Sequence, residues 1–217
     1  GTPIFFIILL QQGRKRNLIK MLLDDNGNIV EGDSLAILIN DYFSGLFTSE
    51  VNAANEEVLD KVKPRVTPAM NNHLLAPFTS EEVRKALFDI GDLKAPGPDG
   101  LHAAFYKRFW VMLEEDLVKE VLEAVNTAVI PEGWNDTVIV LIPKVDKPEK
   151  LSQFRPISLC NVVYKVISKM LAKRLKGILP EVIGEAQSAF VPGRLITDNV
   201  LVAYESVHRI KRKKGNH

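Results

Sequence analysis

The sequence has 217 residues, 46% of them hydrophobic and 25% charged, which is enough apolar surface for a packed core and too much for a wholly disordered chain. The formal charge of +1 conceals an asymmetry: fifteen Lys and Arg face six Asp and Glu from Val138 onward, against thirteen and twenty-one before it, so the C-terminal part is the side suited to a polyanion. A single cysteine, Cys160, excludes an internal disulfide, and four scattered histidines offer no zinc-ligand spacing, so a reducing, intracellular setting is expected.

In chain order, the apolar run Ile4 to Leu10 is seven residues long, against about 20 for a membrane helix, and lacks the flanks of a secretory signal. A chain that starts at Gly1 reads as a piece of a longer frame. After the basic knot Arg14 to Arg16, the stretch Leu18 to Val30 reads as a hairpin around Asp24-Asp25-Asn26-Gly27-Asn28, because Asn-Gly supplies positive φ angles. Asp24 and Asp25 superficially resemble the paired carboxylates of two-metal enzymes, but they lead straight into the turn and are read as turn residues. Leu35, Leu38, Ile39, Tyr42, Phe43 and Leu46 recur at a helical period over 34–47. Residues 48–72 are polar, contain Pro64 and Pro68, and read as a connector with a short helix around 56–62.

Thr79 and Glu82 have capping-box spacing, Phe78 can staple onto Val83, and Val83, Leu87 and Ile90 form the buried stripe of a helix that Gly91 ends. Lys94-Ala-Pro-Gly-Pro-Asp-Gly100 is too rich in Pro and Gly for a regular element and reads as a shaped loop. One long helix is expected next, with Phe105, Phe109, Met112, Leu113, Leu117, Val121, Ala124 and Val125 on its inner face. It cannot pass Pro131. Val138 to Ile142 is a buried-strand pattern, and Phe154 to Leu159 can pair back on it across an exposed connection carrying Lys144, Lys147 and Lys150.

Residues 161–178 read as a helix with Val163, Ile167, Met170, Leu171, Leu175 and Ile178 on one face and Lys165, Lys169 and Lys173 on another, closed by Gly177 and Pro180. Like charges at that spacing cost a free helix about 0.2–0.5 kcal/mol per pair, so a polyanion or acidic partner would relieve them. A last helix from Asp198 uses Val200, Tyr204, Val207 and Ile210 and ends in Lys211-Arg212-Lys213-Lys214.

No P-loop, Gly-x-Ser-x-Gly elbow or His-Glu-x-x-His pair occurs, and the calcium-loop mimic at Asp24, Asn26 and Asn28 lacks its Gly at Ile29 and its Glu at Leu35. What remains is a strand-loop-strand unit with Lys144 just past one strand and Arg155 at the start of the next. These two cations either converge on one anion, arginine as a fork and lysine as a point charge, or are solvated on an ordinary surface hairpin.

Four blocks carry a family resemblance: "KAPGPDG" at Lys94 to Gly100, "VLIPK" at Val140 to Lys144, "FRPISLCNVVYKVISKMLAKRL" at Phe154 to Leu175, and "QSAFVPGRLITDN" at Gln187 to Asn199. In order and spacing they resemble the reverse transcriptases of plant LINE-type (non-LTR) retrotransposons, and "NLIKMLLDDNG" with "DYFSGLF" resembles the linker ahead of that polymerase. The resemblance implies an α+β chain, the mainly helical fingers of a right-hand polymerase with a small antiparallel hairpin. Residues 1–75 would be an extension or linker, and 76–217 the fingers part of a domain whose catalytic palm lies further on.

Carried over residue by residue, Lys144 and Arg155 match positions that hold the incoming nucleotide's triphosphate, and the block around Gln187, Gly193 and Arg194 matches a segment near template and palm. Lys165, Lys169 and Lys173 are candidate nucleic-acid contacts. The family implies an RNA template, a DNA primer, deoxynucleoside triphosphates, Mg2+ in the full-length enzyme and a nuclear setting; no catalytic or metal-binding residue is assigned in this chain, and no membrane partner is expected. The alternatives are a non-catalytic nucleic-acid-binding fragment and an inert remnant.

Overall fold

The computed structural model describes residues 5–7, 19–48, 63–184, 187, 188, 191 and 193–214. The expected helix around 56–62 and the basic knot at 14–16 lie outside the described residues. The elements are β1 (Phe5–Ile7), β2 (Met21–Leu23), β3 (Ile29–Glu31), α1 (Asp33–Phe47), α2 (Pro68–Leu75), α3 (Ser80–Phe88), α4 (Ala103–Arg108), α5 (Trp110–Thr127), β4 (Thr137–Pro143), β5 (Phe154–Cys160), α6 (Val162–Val182) and α7 (Ile196–Lys214), with a 3-10 turn at Leu151–Gln153 before β5. The chain is therefore α+β.

Two compact units divide the chain, residues 1–58 with 78–167, and residues 59–77 with 168–217. In the first unit β4 lies between β1 and β5; it pairs antiparallel with β5, Thr137 opposite Cys160 through Pro143 opposite Phe154, and parallel with β1, Phe5 opposite Thr137. The β2–β3 pair is a separate hairpin, Leu22 opposite Val30. Its turn forms as the residues dictate. One Asp24 carboxylate oxygen accepts the amides of Asn26 (2.9 Å) and Asn28 (2.8 Å), the other accepts Asn28 Nδ2 (3.0 Å), and Gly27 takes φ 84°. The Asn28 side chain first, then its backbone amide, holds the Asp24 carboxyl below the usual carboxylate range. Its acceptor capacity is engaged in shaping a turn.

This hairpin and α1 belong to the core of the first unit. Leu22, Leu35, Ile39 and Phe43 share one buried cluster with Ile139 and Leu141 of β4, Leu151, and Phe154 of β5. A division after residue 75 would cut through that core, because the apolar stripe of α1 finds its cover on the sheet.

Further along, the Thr79 capping box is present, with Glu82 N–H on Thr79 Oγ1 (3.3 Å) and Thr79 N–H on Glu82 Oε2 (2.9 Å), and Val83, Ala86 and Leu87 are fully buried. Two readings need correction. The single helix expected after Leu101 breaks at Phe109 (φ −100°, ψ 18°) into α4 and α5. The break shifts the inner stripe to Ala103, Trp110, Leu117, Val121 and Ala124 and leaves Phe105, Phe109 and Met112 exposed. The connector before Phe78 contains α2, because Pro68 falls at the first helical turn, where its missing N–H is harmless, and Thr67 caps it by accepting Met70 N–H at 3.2 Å.

In the second unit, α6 continues past Gly177 and through Pro180 to Val182, with the proline in its last turn, where few helical bonds remain to be lost. The apolar residues expected to line α7, Val200, Tyr204, Val207 and Ile210, are exposed. No helix among the described residues is long and apolar enough to cross a membrane.

The loop at Lys94 to Gly100 is the tightest junction. A Cβ on Gly97 would stand 2.2 Å from Asn161 Oδ1, 2.3 Å from Asn161 N and 2.5 Å from the Cys160 carbonyl carbon. Gly97→Ala is accordingly expected to destabilise the fold by about 1–3 kcal/mol through overpacking against backbone that cannot give way. A urea midpoint equal to that of the native sequence would show the junction to be open instead.

Candidate nucleic-acid interface

Three structured pieces carry the candidate residues. The first is the Lys94–Gly100 loop, seated on the junction of β5 and α6. The Asn161 side chain is buried between two loops, its Oδ1 accepting Asp99 N–H (3.2 Å) and its Nδ2 donating to the Gly133 carbonyl (3.0 Å). Lys165, one turn along α6, donates its ammonium to the Ala95 carbonyl at 2.7 Å. His102 Nδ1 lies 3.1 Å from the Lys94 carbonyl, and Asp99 folds back onto Leu101 N–H at 2.9 Å. Burial, and after it the Asp99 carboxylate, pushes the nearby Tyr106 phenol above its ordinary value. Asn161 lies inside one of the sequence blocks but is not among the residues the sequence marks, since nothing in its neighbours identifies it as a hub.

The second piece is the tip of the β4–β5 hairpin. Ile142 stands opposite Arg155, and Lys144 N–H reaches the Gln153 carbonyl at 2.8 Å, extending the ladder by one pair. Side chains alternate across a strand, so Ile142, Lys144 and Arg155 share one face while Leu141 and Phe154 point to the core, and the burial pattern agrees. Lys144 and Arg155 are thus diagonal neighbours on an exposed face, within reach of one another for side chains this long. The Lys144 ammonium rests on the Ser152 carbonyl at 2.9 Å. Among the described residues no acceptor meets the Arg155 guanidinium.

The third piece lies in the second unit. Arg194 donates to four carbonyls, those of Gly184 (2.6 Å), Gln187 (2.8 Å), Pro180 (3.2 Å) and Ile183 (3.2 Å), closing the C-terminal end of α6. Gly193 takes φ 78°, a conformation that favours glycine, and Gln187 is exposed. Of the lysine series on α6, Lys165 is engaged with the Lys94–Gly100 loop, Lys169 is half-buried and Lys173 exposed.

Arg174, absent from the sequence-based candidates, is buried and donates to the carbonyls of Leu74, Ala76 and Pro77 at the end of α2. Its position held the clue. Val166, Met170, Arg174 and Ile178 recur every fourth residue on the buried stripe of α6, and a cation in such a stripe implies internal acceptors. Among the described residues no group of three or more His, Cys, Asp or Glu could hold a metal ion.

Residues 142–217, which include Lys144, Arg155, the α6 lysines and the Gln187–Arg194 block, match the family described as reverse transcriptase (RNA-dependent DNA polymerase). Over 214 residues the chain is 29% identical to the transposon TX1 uncharacterized 149 kDa protein of Xenopus laevis, covering 98% of this chain and 16% of that protein. It is 26% identical over 169 residues to the "Probable RNA-directed DNA polymerase from transposon BS" of Drosophila melanogaster, covering 76% of this chain and 18% of that protein. It is also 28% identical over 144 residues to the retrovirus-related Pol polyprotein from type-1 retrotransposable element R2 of Popillia japonica, covering 66% and 19%. The chain spans less than a fifth of the length of each of these relatives. Residues 142–217 thus match a reverse transcriptase family, and the chain has homologues from non-LTR retrotransposons along its length.

Proposed function

We propose that this chain is the fingers region of the RNA-directed DNA polymerase of a plant LINE-type element, and that its β4–β5 tip grips the triphosphate of an incoming deoxynucleotide. The observation that carries this is the placement of Lys144 and Arg155 as diagonal neighbours on one exposed face, inside the stretch that matches the reverse transcriptase family. A triphosphate would draw the Lys144 ammonium off the Ser152 carbonyl and offer the Arg155 fork the bidentate acceptor it lacks. Lys169 and Lys173, with the Gln187 and Gly193 segment, are proposed to lie along the template through phosphate contacts of little sequence preference. Arg194 serves that surface indirectly, by closing the end of α6, whereas Lys165 holds the Lys94–Gly100 loop of the first unit.

Nucleotidyl transfer needs carboxylates that hold two metal ions, and we propose that Mg2+ and the chemistry belong to the palm of a longer polyprotein, as the chain spans less than a fifth of the length of its relatives. The chain's part is to bind and orient substrate; a nuclear site of action follows from the same reading.

Two outcomes are expected. Given template, primer, Mg2+ and nucleotides, the purified chain extends no primer above a heat-killed control. In a longer protein that includes the palm, Arg155→Ala lowers kcat/KM for the nucleotide about ten- to hundredfold, the weight of one charge-assisted contact of about 1.5–3 kcal/mol. Extension by the chain alone would overturn the division of labour, and an unchanged kcat/KM would return Arg155 to the solvated surface.

The template surface has its own test. Reversing Lys169 and Lys173 to Glu should weaken RNA binding and flatten its dependence on salt, because fewer counterions are released. An unaltered slope of log affinity against log salt removes both lysines from the interface.

A further inference from the structure

We infer that residues 19–48 brace the β4–β5 tip and thereby set where the Lys144 ammonium stands; this positioning role rests on the triphosphate reading of that tip. The chain of contacts begins in the β2–β3 hairpin. Asp24 N–H bonds to the Asn28 carbonyl at 2.9 Å, so the next pair inward, Leu23 with Ile29, is one whose backbone groups point away from each other. The Leu23 N–H is therefore free to leave the hairpin, and it donates to the Glu149 carbonyl at 2.7 Å, in the middle of the connection between β4 and β5.

Side chains repeat the link. Leu22 of β2 and Leu35, Ile39 and Phe43 of α1 are buried in the same cluster as Leu151 and Phe154, the residues that flank Ser152 and Gln153. Within the connection, Gln153 Oε1 accepts the amides of Glu149 (2.7 Å) and Lys150 (3.1 Å), which makes the segment one knot. Ser152, held inside that knot, supplies the carbonyl on which the Lys144 ammonium rests at 2.9 Å. Each step passes position from the hairpin to the lysine.

The connection is held at points and is not packed throughout. A cavity of about 340 Å³ is bounded by Leu23, Asp25 and Tyr42 on the brace and by Lys150, Leu151 and Ser152 on the connection. Loss of one attachment therefore leaves the connection room to move. This also accounts for the buried Leu151 in an otherwise polar, charged run: it is the anchor, and the lysines around it are what it carries.

The test removes one donor. Leu23→Pro deletes the N–H that reaches Glu149 and no bond of the β2–β3 ladder, since that amide faces outward. Hydrogen exchange is measured on the full chain together with the dissociation constant for dTTP. The expected result is at least tenfold faster exchange at Lys144, Glu149 and Lys150, unchanged protection at Val83 to Leu87, and dTTP binding weakened roughly threefold or more. Unchanged exchange in the connection overturns the brace. Faster exchange with unchanged dTTP affinity overturns its role in positioning Lys144. If the native sequence binds no dTTP, the triphosphate reading fails, while the exchange data still decide whether the brace exists. Should Leu23→Pro lose its helical signal, Gln153→Ala unties the knot from the other side. It is expected to give the same exchange and affinity changes with the hairpin amides of Asn28 and Val30 still protected, and an intact knot or an unmoved affinity in that variant counts against the inference.

Discussion

Asn161 is the joint on which the arrangement of the first unit depends. A buried carboxamide that lost its partners would cost about 1–3 kcal/mol for each orphaned group, so its oxygen and its nitrogen fix two loops at once, Asp99 on one side and Gly133 on the other. The Lys94–Gly100 loop has almost no regular hydrogen bonding of its own, and its shape is imposed from outside. Gly97 lies against the Asn161 backbone too closely for any side chain, and Lys165 reaches from the next turn of α6 to Ala95. Because Asn161 is the residue between β5 and α6, the loop is locked to the same strand that carries Arg155 at its other end.

The cations of the chain fall into two groups. Three helix ends are closed by a cation arriving from elsewhere in the chain: Lys107 donates to the Ile90 carbonyl beyond α3 at 2.6 Å, Arg174 to the carbonyls beyond α2, and Arg194 to those at the end of α6. A helix C-terminus presents unpaired carbonyls and partial negative charge, and a guanidinium or ammonium answers both. Counting Lys and Arg therefore overstates the charge offered to a polyanion. Lys165, Arg174 and Arg194 serve the scaffold, whereas Arg155 at the hairpin tip stands on the open surface.

Much of the fold was legible because local chemistry decided it. The Asp24–Asn28 turn and the Thr79 capping box depend on residues within a few positions of one another, and β4 and β5 are consecutive strands joined by one short connection. Where the outcome depended on distant partners, the pattern misled. Phe105, Phe109 and Met112 are as apolar as a core stripe requires, yet the turn at Phe109 gives their place to Trp110, which packs edge-on against Phe88 at 5.7 Å between ring centroids. Pro68 was counted toward a connector and is a helix start, since the same ring that forbids the interior suits the first turn. For the candidate site, the position of Lys144 just past one strand and of Arg155 at the start of the next followed from the strand-loop-strand pattern. The carbonyls that engage Lys165 and Arg194 did not, as backbone acceptors leave no mark in a sequence.

The proline in the Phe154–Leu159 block has a physical use at the sheet edge. Among the described residues, β5 is paired on one side only, with β4. The Lys144–Gln153 hydrogen bond sets the alternation of the ladder, so Ile142 and Arg155 exchange bonds and Leu141 and Pro156 do not. Pro156 therefore directs its nitrogen away from β4, where the ladder loses nothing by the missing N–H and the outer edge loses a donor. A further strand seeking that edge finds a gap beside Arg155, which disfavours pairing there. The outer edge of β5 thereby offers a further strand one donor fewer.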